Sequence, residues 1–194
     1  DNTVRLFEVA TGETRKTLPH PGGVRQAIFA PDGKRIATVT FTHKAFIWDV
    51  ASGKMVKELS APLAFVSVAW SPDSSTVVTG SLDGSLQTWS ADGALQKQIK
   101  IVQGRKLQPV TIGFVNDHEV MYGGVEFVGE AGVVNLKTGQ RRLNFPHHDN
   151  TVFHASVSND RQLVVSTGGD DHDIIIWRPT DGSIVQRIKG SGKS

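Results

Sequence analysis

Apolar and polar residues fall along this chain in short runs separated by turn residues, never in a helical stripe. From Val164 to Trp177 the sequence reads VVSTGGDDHDIIIW: an apolar run, a turn rich in glycine and aspartate, and a second apolar run closed by tryptophan. Such runs, bounded by Gly and Asp, predict two strands of a β-hairpin. Valine and isoleucine hardly alternate with polar residues here, so both strands are expected to be buried on both faces. Two earlier stretches follow the same plan, Ile36–Trp48 (IATVTFTHKAFIW) and Val77–Trp89 (VVTGSLDGSLQTW). Each first strand carries a hydroxyl residue (Thr38, Thr79, Ser166), and each second strand ends in tryptophan (Trp48, Trp89, Trp177).

Glycine marks the period. The triplets ATG, ASG, ADG, KTG and TDG place Gly12, Gly53, Gly93, Gly139 and Gly182 at intervals of 41, 40, 46 and 43 residues. A second landmark is a Pro-Asp or Asn-Asp turn after an earlier strand of each unit, as in VRQAIFAPDG and FVSVAWSPDS. Those residues preset φ or bond their own backbone. A period of this length filled by short strands predicts a stack of similar β-sheets.

Composition narrows the function. Twenty-one basic against nineteen acidic residues leave +2, too even a balance to build a phosphate-binding surface. Lys97, Lys100, Arg105 and Lys106 form a basic run without interleaved aromatics, so nucleic acid is not an expected partner. The absence of cysteine excludes disulfides and thiolate metal sites and fits the cytoplasm. Residues 63–70, the longest nearly apolar run, are too few to span a bilayer, and no leader precedes them.

The period, the Trp48-Asp49 ending and the APD and SPD turns resemble the WD-repeat β-propellers. The resemblance implies an all-β fold of four-stranded antiparallel blades, strands a to d of each in chain order, in a segment of a longer chain, and it takes in prokaryotic members. Half a blade falls at 1–20, followed by blades at 21–60, 61–104, 105–146 (degenerate) and 147–190. Residues 191–194 then open the next loop. In the family a histidine before strand a, a hydroxyl on strand b, an aspartate in the b–c turn and the strand-c tryptophan form a buried tetrad. The fourth unit matches it at His148, Ser166, Asp171 and Trp177. The first has His20, Thr38 and Trp48 with Thr42 for the aspartate, and the second has Thr79, Asp83 and Trp89 with Ala61 for the histidine. The third aligns Arg105, Gly123 and Val134, with one extra residue, and Phe7 stands at the tryptophan position of the half blade. The second and third units are therefore expected to lack the polar lock.

The resemblance also implies a non-catalytic platform that takes a protein or peptide partner on its narrow top face, with a fused effector domain in a longer chain. Carried over by alignment, the top-face residues are Arg25, Val66, Val110 and Phe153 on strand a. Those of the b–c turns are Phe41, Leu82 and Asp170, with Phe127 in the displaced third unit. Phe41, Leu82 and Phe153 are the expected anchors. Two other readings compete. Ser166, His148 and Asp171 imitate a hydrolase triad, but Ser166 lies within a strand and not on an exposed elbow. His147, His148, Asp149, Asp170, Asp171, His172 and Asp173 are the densest group of metal-ligating types, without a diagnostic spacing. The ending Gly190–Ser194 imitates a phosphate loop but has Arg187 where that loop needs glycine. No catalytic residue, cofactor or metal is expected.

Overall fold

The computed structural model describes residues 1–61, 63–101, 108–125, 130–149, 151–169 and 172–190. Among them every regular element is a β-strand, and none is a helix able to cross a membrane. A two-stranded sheet, β1 (Thr3–Phe7) with β2 (Thr14–Pro19), comes first. Blade 1 follows as β3 (Val24–Phe29), β4 (Arg35–Thr40), β5 (Ala45–Asp49) and β6 (Met55–Leu59). Blade 2 comprises β7 (Phe65–Trp70), β8 (Thr76–Ser81), β9 (Ser85–Ser90) and β10 (Leu95–Lys100). Blade 3 holds β11 (Gln108–Phe114), β12 (Glu119–Val125), β13 (Ala131–Asn135) and β14 (Arg141–Phe145). Blade 4 holds β15 (Val152–Val157), β16 (Val164–Gly168), β17 (Asp173–Trp177) and β18 (Ile184–Ile188). Every blade is an antiparallel meander in chain order, and successive blades meet through their inner strands β3, β7, β11 and β15.

The periodic glycines do two jobs in the turn between the third and fourth strands. Each adopts a left-handed φ, from 70° at Gly53 to 82° at Gly93, which other residues adopt only at a cost. Each of the last four also lies against the outer strand of the preceding sheet. A Cβ at Gly93 would stand 2.5 Å from Lys57 Cγ, and one at Gly182 would stand 3.2 Å from Leu143 Cδ1.

The core lies in the seams between sheets. Leu18, Ile36, Phe46 and Trp48 fill the first seam with Val4 and Leu6. Val39, Ile47, Val68 and Trp70 fill the second, and Val78, Leu86, Ile112 and Phe114 the third. The fourth is built from Met121, Val133, Val152, Ile175 and Trp177. Strands β4 and β8 have a sheet on each side, and their interiors are buried throughout. The expectation that Val164–Trp177 is buried on both faces is corrected: β16 and β17 alternate, and Val165 and Ile174 are exposed. Blade 3 covers one face of these strands, and among the described residues no sheet covers the other.

Candidate interaction site at the blade tops

The turns at the top of each blade are held by buried polar chains, which differ from unit to unit. In blade 1, His20 Nδ1 lies 2.9 Å from Leu18 O. A carbonyl only accepts, so Nδ1 carries the proton and Nε2 is the acceptor. The Thr38 hydroxyl donates to Nε2 at 2.9 Å and accepts from Trp48 Nε1 at 3.1 Å. Burial holds the His20 imidazole below its ordinary value, and the bond to Leu18 only partly offsets this. Thr42, at the aspartate position, bonds the Thr40 hydroxyl at 2.8 Å.

Blade 4 repeats the arrangement. Ser166 Oγ lies 2.8 Å from His148 Nε2 and accepts from Trp177 Nε1 at 3.2 Å, while Phe145 stacks on Trp177 at 4.3 Å. Asp171 lies outside the described residues, as do Asp170 and Phe127. Ser166 is fully buried with its hydroxyl engaged, so it is closed to a substrate.

Blade 2 corrects the expectation that it lacks a lock. Gln87, fully buried on β9, takes over the place of the missing histidine. Its Oε1 accepts from Thr79 at 3.1 Å and Ser81 at 2.7 Å, and its Nε2 donates to Ser85 at 2.6 Å. Ser85 in turn donates to Asp83 Oδ1 at 2.5 Å, and Trp89 Nε1 donates to Thr79 at 3.0 Å. The signal in the sequence was the glutamine of SLQTW, at the position held by Phe46 in the first unit and Ile175 in the fourth.

Blade 3 corrects both the alignment and the missing lock. Val120 pairs with Val134 as Val164 pairs with Trp177, so the hydroxyl position two residues on belongs to Tyr122, not Gly123. Arg105 lies outside the described residues. Tyr122 is fully buried, its hydroxyl 3.5 Å from Glu130 Oε1, and burial pushes its pKa up to about 12. Glu130 also takes the Arg141 guanidinium. Gly132, opposite Tyr122, makes room for the ring: a Cβ there would lie 2.8 Å from the phenol oxygen. At the other end of the blade, burial pushes the Glu119 carboxyl up. Arg142 at 2.7 Å and Asn116 at 2.8 Å outweigh it and hold the group below the ordinary carboxylate range.

The four strand-a candidates share a backbone feature that the sequence did not disclose. The pairing of each inner strand with its neighbour slips by one residue, between Val24 and Gln26, Phe65 and Ser67, Pro109 and Thr111, and Val152 and His154. Arg25, Val66, Val110 and Phe153 are the bulged residues. A bulge re-aims its side chain and increases local twist. The structure places Phe41 and Phe153 in solvent, 64% and 68% exposed, and leaves Arg25 exposed. Leu82 and Val110 are half-buried, while Val66 is only 1% exposed and belongs to the interior. The amides of Phe41 and Leu82 bond Gly23 O and Ala64 O, and in blade 4 the same bond comes from Gly169 to Thr151 O. Among the described residues no three His, Asp or Glu side chains converge as a metal site would require.

Blades of this topology, with bulged inner strands and Trp–hydroxyl–His chains, define a WD-repeat propeller. Residues 12–49, 53–90 and 139–178 match the family model for the WD domain, G-beta repeat, and the chain belongs to that family. The unmatched interval contains most of blade 3, with Tyr122 in place of the usual hydroxyl and Val134 in place of tryptophan. The chain is 26% identical to Actin-interacting protein 1 of Drosophila melanogaster over 99% of its length and 32% of that protein's. It is 28% identical to the 66 kDa stress protein of Physarum polycephalum over 65% of the chain and 22% of that protein. It is 33% identical to the Periodic tryptophan protein 2 homolog of Schizosaccharomyces pombe over 52% of the chain and 12% of that protein. The chain thus spans a third or less of the length of these relatives. All three are eukaryotic, so the expected likeness to prokaryotic members gains no support from them.

Proposed function

We propose that the chain is a non-catalytic, cytoplasmic platform that binds a protein partner on its top rim, within a longer protein that carries further domains. The observation that carries this reading is the pair Phe41 and Phe153. They are large apolar side chains set in solvent by a turn and a bulge, with Arg25 exposed on the same rim. Aromatic and arginine side chains displayed in this way are the residues that dominate protein interfaces. The relative aligned over 99% of the chain is named for its interaction with actin, so actin is the first partner to try. The test replaces Phe41, Leu82 and Phe153 together with serine and compares actin capture and thermal melting with the parent chain. Lost capture with an unchanged melt is the expected result. Retained capture rejects the site, and a lowered melt assigns these side chains to packing instead.

A further inference from the structure

The turn between the first and second strands of a blade is built alike in three blades and shortened in the third. Ala30 N bonds Arg35 O, Ser71 N bonds Thr76 O and Ser158 N bonds Leu163 O, each five residues on, whereas Val115 N bonds Glu119 O, four on. The fourth residue of each longer turn is left-handed: Gly33 at φ 71°, Ser74 at 62° and Arg161 at 60°. Ser74 closes the foot of the seam behind it, its hydroxyl accepting from the Asp32 amide at 3.0 Å. Arg161 stands at the same place in the seam between blades 3 and 4, but it faces the short turn. A turn with one residue fewer reaches less far. A cavity of about 330 Å³ lies there, between Asn116 and Glu119 of blade 3 and Arg161, Gln162 and Thr180 of blade 4.

The walls of this cavity carry more positive charge than they neutralise. Glu119 is buried, and both its carboxylate oxygens are engaged, by Arg142 Nε at 2.7 Å and Asn116 Nδ2 at 2.8 Å. Arg142 also donates to Thr180 O and Pro179 O, both at 2.7 Å. Three of its five N–H groups are bonded in this way, and the others have no partner among the described residues. The Arg161 guanidinium has one partner among the described residues, Asp117 Oδ1 at 3.4 Å. That is well beyond the length of a charge-assisted bond, about 2.7–2.9 Å. Asp160, next to Arg161, is occupied by the Ser158 hydroxyl and the Gln162 amide. Arg161 also holds its side chain in place from a backbone conformation that blade 1 gives to glycine. Strained residues of this kind cluster at ligand sites.

We propose that this cavity is a binding site for a carboxylate, held by the guanidinium groups of Arg161 and Arg142. Asp117 is the internal anion that the ligand displaces from Arg161. Two guanidinium groups and one carboxylate line the cavity, so a monoanion balances it and a phosphate dianion would overcompensate. The volume is at the lower end of ligand pockets and suits a small organic acid or one acidic side chain of a bound peptide. The site lies at the end of the blades opposite the top rim and does not rest on the function proposed there.

The test titrates the full 194-residue chain, labelled with nitrogen-15, and follows amide and arginine side-chain signals by NMR. The probes are acetylglycinate, a free monocarboxylate, and a capped Gly-Glu-Gly tripeptide, with the Gly-Gln-Gly tripeptide and inorganic phosphate as controls. Saturable shifts are expected at Gln162, Thr180 and the Arg161 side chain. Binding of acetylglycinate alone supports a free acid as the ligand, and binding of the glutamate tripeptide supports an acidic side chain. Arg161→Gly should weaken binding at least about tenfold as a charge-assisted bond is lost. Its melting temperature should be maintained, because glycine takes a left-handed φ without strain. Asp117→Asn, which removes the competing anion, should tighten binding. A lowered melting temperature in Arg161→Gly would make Arg161 a tie to Asp117 and overturn the proposal. Absence of saturable binding, binding indifferent to Arg161→Gly or weakened by Asp117→Asn, equal binding of the glutamine tripeptide, or tighter binding of phosphate also overturns it.

Discussion

Trp177 and Gln87 hold their blades together through bonds to buried hydroxyls. Trp177→Phe leaves the buried Ser166 oxygen without its indole donor and is expected to cost about 1–3 kcal/mol in urea unfolding. Ser90→Ala, at the half-buried position just past Trp89, should change little by the same measure. Gln87→Leu should cost at least as much as Trp177→Phe, because it strands both Thr79 and Ser81. Equal, negligible losses at Gln87, Trp177 and Ser90 would contradict the polar chains. His20 adds a pH dependence. Its folded value is lowered, so the neutral form is the one that stabilises the fold. That contribution is complete above the ordinary value of about 6.5 and is lost as pH falls below it toward the folded value. Melting temperatures of the parent chain and His20→Gln should therefore converge on acidification, and a gap that stays constant would count against a neutral His20.

At the scale of single elements, blade 3 shows how a sheet without the usual residues is rebuilt. Val134 leaves space where the other full blades have tryptophan, and Tyr122 supplies a ring and a hydroxyl from the neighbouring strand. The exchange works only because Gly132 faces it. Gly132→Ala would press a methyl group to 2.4 Å from Leu143 O, a backbone atom, and is expected to destabilise the chain by about 1–3 kcal/mol or more in thermal melts. A tolerated alanine would mean that β13 and β14 can separate freely. The Glu119–Arg142 pair ties the foot of the same blade to Pro179 and Thr180 of blade 4. Its carboxyl is lowered, so its contribution is present above the ordinary carboxylate value and lost as pH falls through the folded value. Arg142→Ala should remove that part of the acid sensitivity, measured as the difference between the two acid-unfolding curves.

For the whole molecule, stability resides in the seams, so the same substitution matters according to whether a sheet covers it. Met121→Asp would place a charge in the closed seam between blades 3 and 4 and should abolish folding, since an unpaired buried carboxylate is prohibitive. Val165→Asp changes the equivalent residue of the open face and should leave the melting temperature nearly unchanged. A repeat array gains its stability from nearest-neighbour interfaces, and this contrast measures them directly. If both variants melt alike, the faces of blade 4 are not what distinguishes the two sites.

The sequence by itself determined the repeat, the all-β class and the first and fourth Trp–hydroxyl–His chains. Each of these depends on residue type at a fixed spacing: turn glycines every 40 to 46 residues, and Thr38, Ser166, Trp48 and Trp177 at matching places in their hairpins. What the tertiary structure decided were the properties that depend on neighbours distant in the chain. Val164–Trp177 is as apolar as a doubly buried strand pair, yet among the described residues one sheet lies beside it, because burial belongs to the seam and not to the strand. Tyr122 could be placed only by strand pairing, since the extra residue in its unit shifts any alignment by one and thereby reverses which side chain points inward. The bulges at Arg25, Val66, Val110 and Phe153 leave no mark in residue type, because a bulge arises where two strands of unequal residue count must stay in register.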